Sequence, residues 1–380
     1  MKPLLALLVG CCIGAVACSS GGNDEHKRAS KVYDARLPVR VHVNDAAAKK
    51  GPRAAVLRKA PPVPPAPRGL PETPSPKYNP TTANKVMLGK LLFFDKRLSG
   101  KTTRSCGSCH IPEHGWADHK VRSATATGAL NLRHTPSLYN VGYYKSLRWD
   151  GAMTTLEAFV LNHWRGQLAA VPRAIVARLH RIPEYRAHFS RSFGGRVISA
   201  DRVVEALSAF LRTIRSGDSP WDIYELNNDE SAVSKATIAG SKLFRDTAQC
   251  GLCHPPPHYM DNLFHNIGIG FATQSPDKGR AMVTENAADT GAFRTPTLRG
   301  IGDTAPYFHD GSASSVKDAV GYSLSGGFHT DNPWIDPKLK RISLSAKQVD
   351  ELVAFLRALT PAQKPFVRPV LPRDPGGPAK

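Results

Sequence analysis

Cysteine is almost missing from the body of this 380-residue chain: beyond residue 18 only Cys106, Cys109, Cys250 and Cys253 occur. They fall in two close pairs, so no other cysteine in the body could complete a zinc site around either pair. Runs that alternate apolar and polar residues are also lacking, which argues against a β-sheet architecture. The apolar stretch near the start, Leu4 to Ala17, is too short to span a bilayer comfortably. Acidic residues are few, 31 against 51 Lys and Arg, for a formal charge of +20.

What the chain does have is C-x-x-C-H twice, as Cys106-Gly107-Ser108-Cys109-His110 and Cys250-Gly251-Leu252-Cys253-His254. Two thiols three positions apart can form thioethers to the two vinyl groups of one porphyrin, while the next residue offers imidazole to the iron. One copy alone could instead be half a zinc site or a redox dithiol. Two copies, with no further cysteine in the body, favour two covalently bound c-type haems, with His110 and His254 as proximal ligands.

The first residues read as an export leader, one basic residue followed by an apolar run that ends in small residues. Ala15-Val16-Ala17-Cys18 resembles a bacterial lipoprotein cleavage box and would leave Cys18 acylated, anchoring the protein to the outer membrane from the periplasm. Leu8-Val9-Gly10-Cys11 and simple periplasmic secretion are the alternatives. Between Asp24 and Pro80 there are twelve Lys or Arg against five Asp or Glu, and a polyproline run, Pro61-Pro62-Val63-Pro64-Pro65. Residues 19–80 therefore read as a basic, disordered linker after a 1–18 leader. Such a charge run suits anionic headgroups or an acidic redox partner, and an envelope location argues against nucleic acid.

The remainder repeats itself. Gly89-Lys90-Leu91-Leu92-Phe93-Phe94-Asp95 precedes the first motif as Gly240-Ser241-Lys242-Leu243-Phe244-Arg245-Asp246 precedes the second, and each half closes on a helix with Ala-Phe-Leu-Arg. Cys106 and Phe210 are 104 positions apart, Cys250 and Phe355 are 105. The reading is an all-α chain of two tandem cytochrome c-like haem domains with long loops, at 81–218 and 219–362, followed by a Pro-rich tail at 363–380. Val203, Ala206, Leu207, Phe210, Leu211 and Ile214 form one apolar helical stripe, and Ser345-Ala346-Lys347-Gln348 has capping-box spacing.

Across residues 81–362 the chain resembles the bacterial di-haem cytochrome c peroxidases and their MauG-type relatives. The resemblance is carried by Leu91-Leu92-Phe93-Phe94-Asp95, Arg148-Trp149-Asp150-Gly151, Phe264-His265-Asn266, Phe293-Arg294-Thr295-Pro296-Thr297-Leu298 and Ala305-Pro306-Tyr307-Phe308-His309-Asp310-Gly311. It implies that the first haem meets hydrogen peroxide and the second takes electrons from a small cytochrome c or cupredoxin. It also implies that Trp149 lies between them and that the protein tends to dimerise.

The chain departs from that pattern at three places. The glutamate expected twenty positions after the motif tryptophan is Ala169, which leaves Gln167 as a hydrogen-bonding group and His163, His114 and His119 as titratable candidates. The axial methionine or tyrosine expected fourteen positions after His309 is Ser323, so Tyr322 becomes the candidate iron ligand, with His329 and Met282 less favoured. A family calcium site would match Thr304 and Pro306, with His134 in place of asparagine. The resulting expectation is a peroxidase; the alternatives are a MauG-like oxidase of a protein or organic substrate and a non-catalytic electron carrier or redox sensor.

Overall fold

The computed structural model describes residues 59–271, 273, 275–327 and 332–375. The leader, Cys18, most of the basic linker and His329 lie outside the described residues. The first half contributes α1 (Ala83–Phe94), α2 (Leu156–Gly166), α3 (Pro172–His180), α4 (Pro183–Phe193) and α5 (Ala200–Leu211). The second contributes α6 (Pro220–Asn227), α7 (Lys235–Arg245), α8 (Ala281–Thr284), α9 (Val316–Leu324) and α10 (Ala346–Ala358). One difference from the expected all-α pattern is a two-residue antiparallel pair, Phe264–His265 with Phe293–Arg294. Among the described residues no helix is long and apolar enough to cross a membrane.

Local chemistry sets the helix starts. The anticipated capping box opens α10: Gln348 N donates to Ser345 Oγ at 3.3 Å and Ser345 N donates to Gln348 Oε1 at 2.9 Å. The apolar stripe of α5 is buried throughout, from Val203 to Leu211, and Ile214 just beyond the helix end is buried with it.

The duplication reappears in the packing. Helix α1 crosses α5 where Gly89 meets the backbone of Ala206, and α7 crosses α10 where Gly240 meets that of Glu351. A Cβ on Gly89 would lie 2.0 Å from Ala206 O, and one on Gly240 would lie 1.9 Å from Glu351 O. Each crossing organises its own hydrophobic core, one running from Leu88 to Ile214 and the other from Trp221 to Leu359.

The described end of the linker does not behave as a free tether. Proline lacks an N–H but keeps its carbonyl, and here the carbonyls are taken by arginine and tyrosine. Arg215 donates to Pro64 O at 2.6 Å and Pro65 O at 2.8 Å, and Tyr143 Oη donates to Pro71 O at 2.7 Å. Arg299 reaches Gly69 O at 2.8 Å while its fork holds the buried Asp222. Asn79 is fully buried against Glu157. Residues 60–80 are therefore part of the folded body.

Candidate functional site

Each C-x-x-C-H segment begins as a 3₁₀ turn, Cys106–Ser108 and Cys250–Leu252. The turns are closed by His110 N to Cys106 O at 3.0 Å and His254 N to Cys250 O at 2.9 Å. His110 Nδ1 then donates to the Trp116 carbonyl at 3.0 Å, and His254 Nδ1 to the Tyr259 carbonyl at 2.9 Å. The proton is thereby fixed on Nδ1, and Nε2 keeps the lone pair a metal needs.

Both acceptor residues were missed by motif reasoning. Trp116 and Tyr259 are bulky aromatics held at φ +61° and +51°, a left-handed conformation that costs on the order of 1–3 kcal/mol. Equivalent phenylalanines hold them there. Phe93 and Phe210 lie 5.8 and 6.0 Å from the Trp116 ring, and Phe244 and Phe355 lie 6.0 and 6.1 Å from that of Tyr259. The available signal was an aromatic residue six positions after one motif histidine and five after the other.

Beside each turn opens a largely apolar cavity, about 380 Å³ around Cys106, Cys109 and His110 and about 300 Å³ around Cys250, Cys253 and His254. Burial pushes the Cys106 and Cys250 thiols up to about 12. A redox dithiol or thiolate ligand calls for the opposite shift, whereas an uncharged thioether is at ease there. Cys253, Asp261 and His265 form the one three-residue group able to approach a metal ion among the described residues. However, both ring nitrogens of His265 are engaged, with Asp261 at 2.8 Å and Asp336 at 2.5 Å, so it has no lone pair to offer. The donor set therefore fits haem at both turns, which the four cysteines would tether and His110 and His254 would ligate.

The two cavities share a wall made of Trp149, His134 and Pro136. Trp149 is clamped at both ends, its Nε1 donating to His134 O at 2.9 Å and its carbonyl accepting from Arg294 N at 2.8 Å. Gly151, at φ +69°, is needed because a Cβ would meet the Phe264 ring at 2.2 Å. The arrangement places an oxidisable indole in the wall between the two cavities.

The first cavity also receives His163 and Gln167. Helix α2 continues as far as Gly166, which brings His163 onto the cavity wall. Its Nδ1 donates to Phe159 O at 3.0 Å, leaving Nε2 as a free acceptor, and burial brings it down to about 4, so it is neutral above that. Ala169 does not line this cavity; its carbonyl packs on Gly100. His114 and His119 do not line it either. Their rings stack on each other at 4.1 Å, and His119 Nε2 donates to Asp303 O at 2.7 Å.

In the second cavity the expectation for Tyr322 does not hold. Val316, Ala319, Val320, Ser323 and Leu324 line it at helical spacing, and Tyr322 is not among the lining residues; its ring packs 5.3 Å from that of Phe308, which does line the cavity. Ser323 Oγ is occupied with Ala319 O at 2.9 Å. Met282 stands at the first cavity, 66% exposed, which removes it as a ligand for the second haem. Thr304 and Pro306 line the second cavity. His134 donates from Nδ1 to Lys120 O at 2.7 Å and supplies no oxygen ligand for calcium.

Buried histidines make stability depend on pH. Burial holds His163, His188 and His309 each at about 4, below the ordinary 6.5. An unfolded chain takes up these protons near pH 6.5, the folded chain only near pH 4. Stability is then complete above about 6.5 and is lost as pH falls toward 4, with the 5% exposed His309 contributing on the order of 3 kcal/mol. Urea midpoints at pH 7 and pH 4.5 measure the loss, and His309→Gln should reduce it.

Comparison with known proteins agrees with this architecture. The sequence model of the family described as di-haem cytochrome c peroxidase matches residues 83–231. The chain is 32% identical to the methylamine utilization protein MauG of Methylophilus methylotrophus, over 79% of this chain and 89% of that protein. It is 34% identical to the cytochrome-c peroxidase IdrP1 of Denitromonas iodatirespirans, over 80% and 89%. Among solved structures, a MauG-like protein associated with microbial copper homeostasis superposes with TM-score 0.72 at 32% identity, covering 81% of this chain and 96% of that one. The chain belongs to the di-haem cytochrome c peroxidase and MauG family of oxidoreductases.

Proposed function

We propose that this is an exported two-haem enzyme that reduces hydrogen peroxide to water at the first cavity, using electrons that a small cytochrome c or cupredoxin delivers at the second. The observation that carries this reading is the shared wall: Trp149 borders both cavities, and the first also holds a neutral histidine with a free nitrogen. Haem bound through Cys106, Cys109, Cys250 and Cys253 supplies the electron-transfer chemistry.

The chain's own residues supply the rest. His110 and His254 present Nε2 in a fixed tautomer. His163 Nε2 can take the first proton from peroxide and return it to the departing oxygen, the part the carboxylate at position 169 would otherwise play. Gln167 offers a hydrogen bond but no proton exchange. Overall, one peroxide, two electrons and two protons give two waters. The leader supports periplasmic export, with Cys18 as the acylation site.

The test is stopped-flow oxidation of the fully reduced protein by peroxide, followed at each haem. Both haems should oxidise in wild type. Trp149→Phe should leave the peroxide reaction of the first haem intact and slow the oxidation of the second. Equal rates at the second haem would remove Trp149 from the relay.

A second reading has one observation in its favour. Leu132 and Met282, 64% and 66% exposed, line the first cavity and make its rim apolar. Peroxide has no use for such a rim, whereas a MauG-like oxidase of an organic or protein substrate would.

A further inference from the structure

We propose that the C-terminal tail, residues 361–375, is a strap from the second module that positions the iron-ligating histidine of the first, with Phe366 acting through Trp116 on His110. The inference rests on haem attachment at Cys106–His110 and is independent of the reaction performed there.

The strap leaves the second module just after α10, where Gly302 N donates to Thr360 Oγ at 2.9 Å and Gln363 Nε2 to Asp303 Oδ2 at 2.7 Å. It then binds the first module at three successive points. The Phe366 ring stands edge-on to Trp116 at 5.1 Å and tilted on Phe94 at 5.4 Å, with Lys90 Nζ 4.5 Å from its centroid. Arg368 forks onto Glu113 at 2.6 and 2.7 Å. Pro372 O accepts from Arg97 Nη2 at 2.8 Å, on an arginine already paired with the buried Asp95. Between these anchors Val367 and Val370 point out, 77% and 94% exposed.

Two of the groups beneath Phe366 bear directly on the haem-attachment turn. Phe94 lies so close to Gly107 that a Cβ there would meet its Cδ1 at 2.6 Å. Trp116 provides the carbonyl that fixes His110 Nδ1. Its backbone follows Gly115, at φ +60°, into the left-handed region at φ +61°. A bulky residue stays in that region only when its surroundings over-determine it. Of the rings around Trp116, the tail's is the nearest, 5.1 Å against 5.8 Å for Phe93 and 6.0 Å for Phe210.

The second module is the internal control. Tyr259 plays the part of Trp116 at φ +51°, with Phe244, Phe355 and the Arg299 guanidinium around its ring and Leu298 N donating to its carbonyl at 3.3 Å, and among the described residues the tail places no ring beside it. Loss of the tail should therefore perturb one haem and spare the other. Without Phe366, Trp116 can relax, its carbonyl withdraws, and the His110 Nδ1–H bond lengthens. A weaker bond at Nδ1 makes Nε2 a poorer donor to iron.

The experiment uses the full-length two-haem protein, a chain ending at Pro361, and Phe366→Ala, Phe366→Trp and Arg368→Ala. Each is read by resonance Raman spectroscopy of the iron–histidine stretch and by spectroelectrochemistry of each haem. Truncation and Phe366→Ala should lower the stretching frequency and raise the potential of the first haem, leaving the second unchanged. Phe366→Trp should restore both readings, and Arg368→Ala should give a partial shift. A truncated protein with two haems and an unmoved first haem overturns the strap, as does an equal shift at both haems. If truncation or Phe366→Ala fails to fold, the surface variant Arg368→Ala decides, and no shift there counts against the proposal. Wild-type protein that carries no haem would instead refute the attachment.

Discussion

His163→Ala in the reduced two-haem protein should slow oxidation of the first haem by peroxide by about 10²- to 10⁴-fold, the usual contribution of a positioned acid–base group. Binding of a small neutral ligand to the same iron should change little. The expectation follows from three features of one side chain: it lines the first cavity, its Nδ1 is committed to Phe159 O, and burial keeps it neutral down to about pH 4. His163→Gln keeps a hydrogen bond without a titratable nitrogen and should be nearly as slow. An unchanged rate would remove His163 from the reaction. A faster rate, with a change from low to high spin, would show instead that His163 ligates the iron.

A second large effect is expected at the two helix crossings. Gly240→Ala would place a methyl 1.9 Å from Glu351 O, and Gly89→Ala one 2.0 Å from Ala206 O. Neither obstacle is a flexible side-chain end, so the helices must separate. Alanine's helix propensity favours the mutant by about 1 kcal/mol, but overpacking of this kind costs about 3 kcal/mol or more. The net loss should lower Tm by several degrees, at roughly 2–4 °C per kcal/mol. Gly321, inside α9 with open space around it, provides the control. Gly321→Ala should be neutral or stabilising by up to about 1 kcal/mol. Equal melting temperatures for Gly240→Ala and Gly321→Ala would contradict the duplicated crossing.

Much of this was legible in the sequence because it is local. The two C-x-x-C-H segments, the repeated Gly-x-x-Leu-Phe lead-ins, the capping box at Ser345 and the stripe on α5 are each written within a few residues. Trp149 was found for the same reason, as part of a compact motif. What the sequence left open depends on chain segments that meet only after folding. Counting positions pointed to Ala169 and Ser323, and only the folded chain shows that His163, one of several candidate histidines, lines the first cavity while Tyr322, next to Ser323, does not line the second. The strained carbonyls of Trp116 and Tyr259 are backbone features that residue identity hardly advertises. The linker was read as loose from its prolines, yet carbonyls in its described end bind the body because Arg215, Arg299 and Tyr143, distant in sequence, complete them, and in the Pro-rich tail Phe366 packs on rings of the first module.

Both the proposed peroxide chemistry and the strap require haem covalently attached at Cys106–Cys109 and Cys250–Cys253. Intact-mass spectrometry of the protein, made in a host able to mature c-type cytochromes and then denatured, tests it most directly. The expected mass is that of the polypeptide plus two haems, falling to one haem in the double variant Cys250→Ala/Cys253→Ala. Bare polypeptide mass, or zinc retained in place of porphyrin under native conditions, would contradict it.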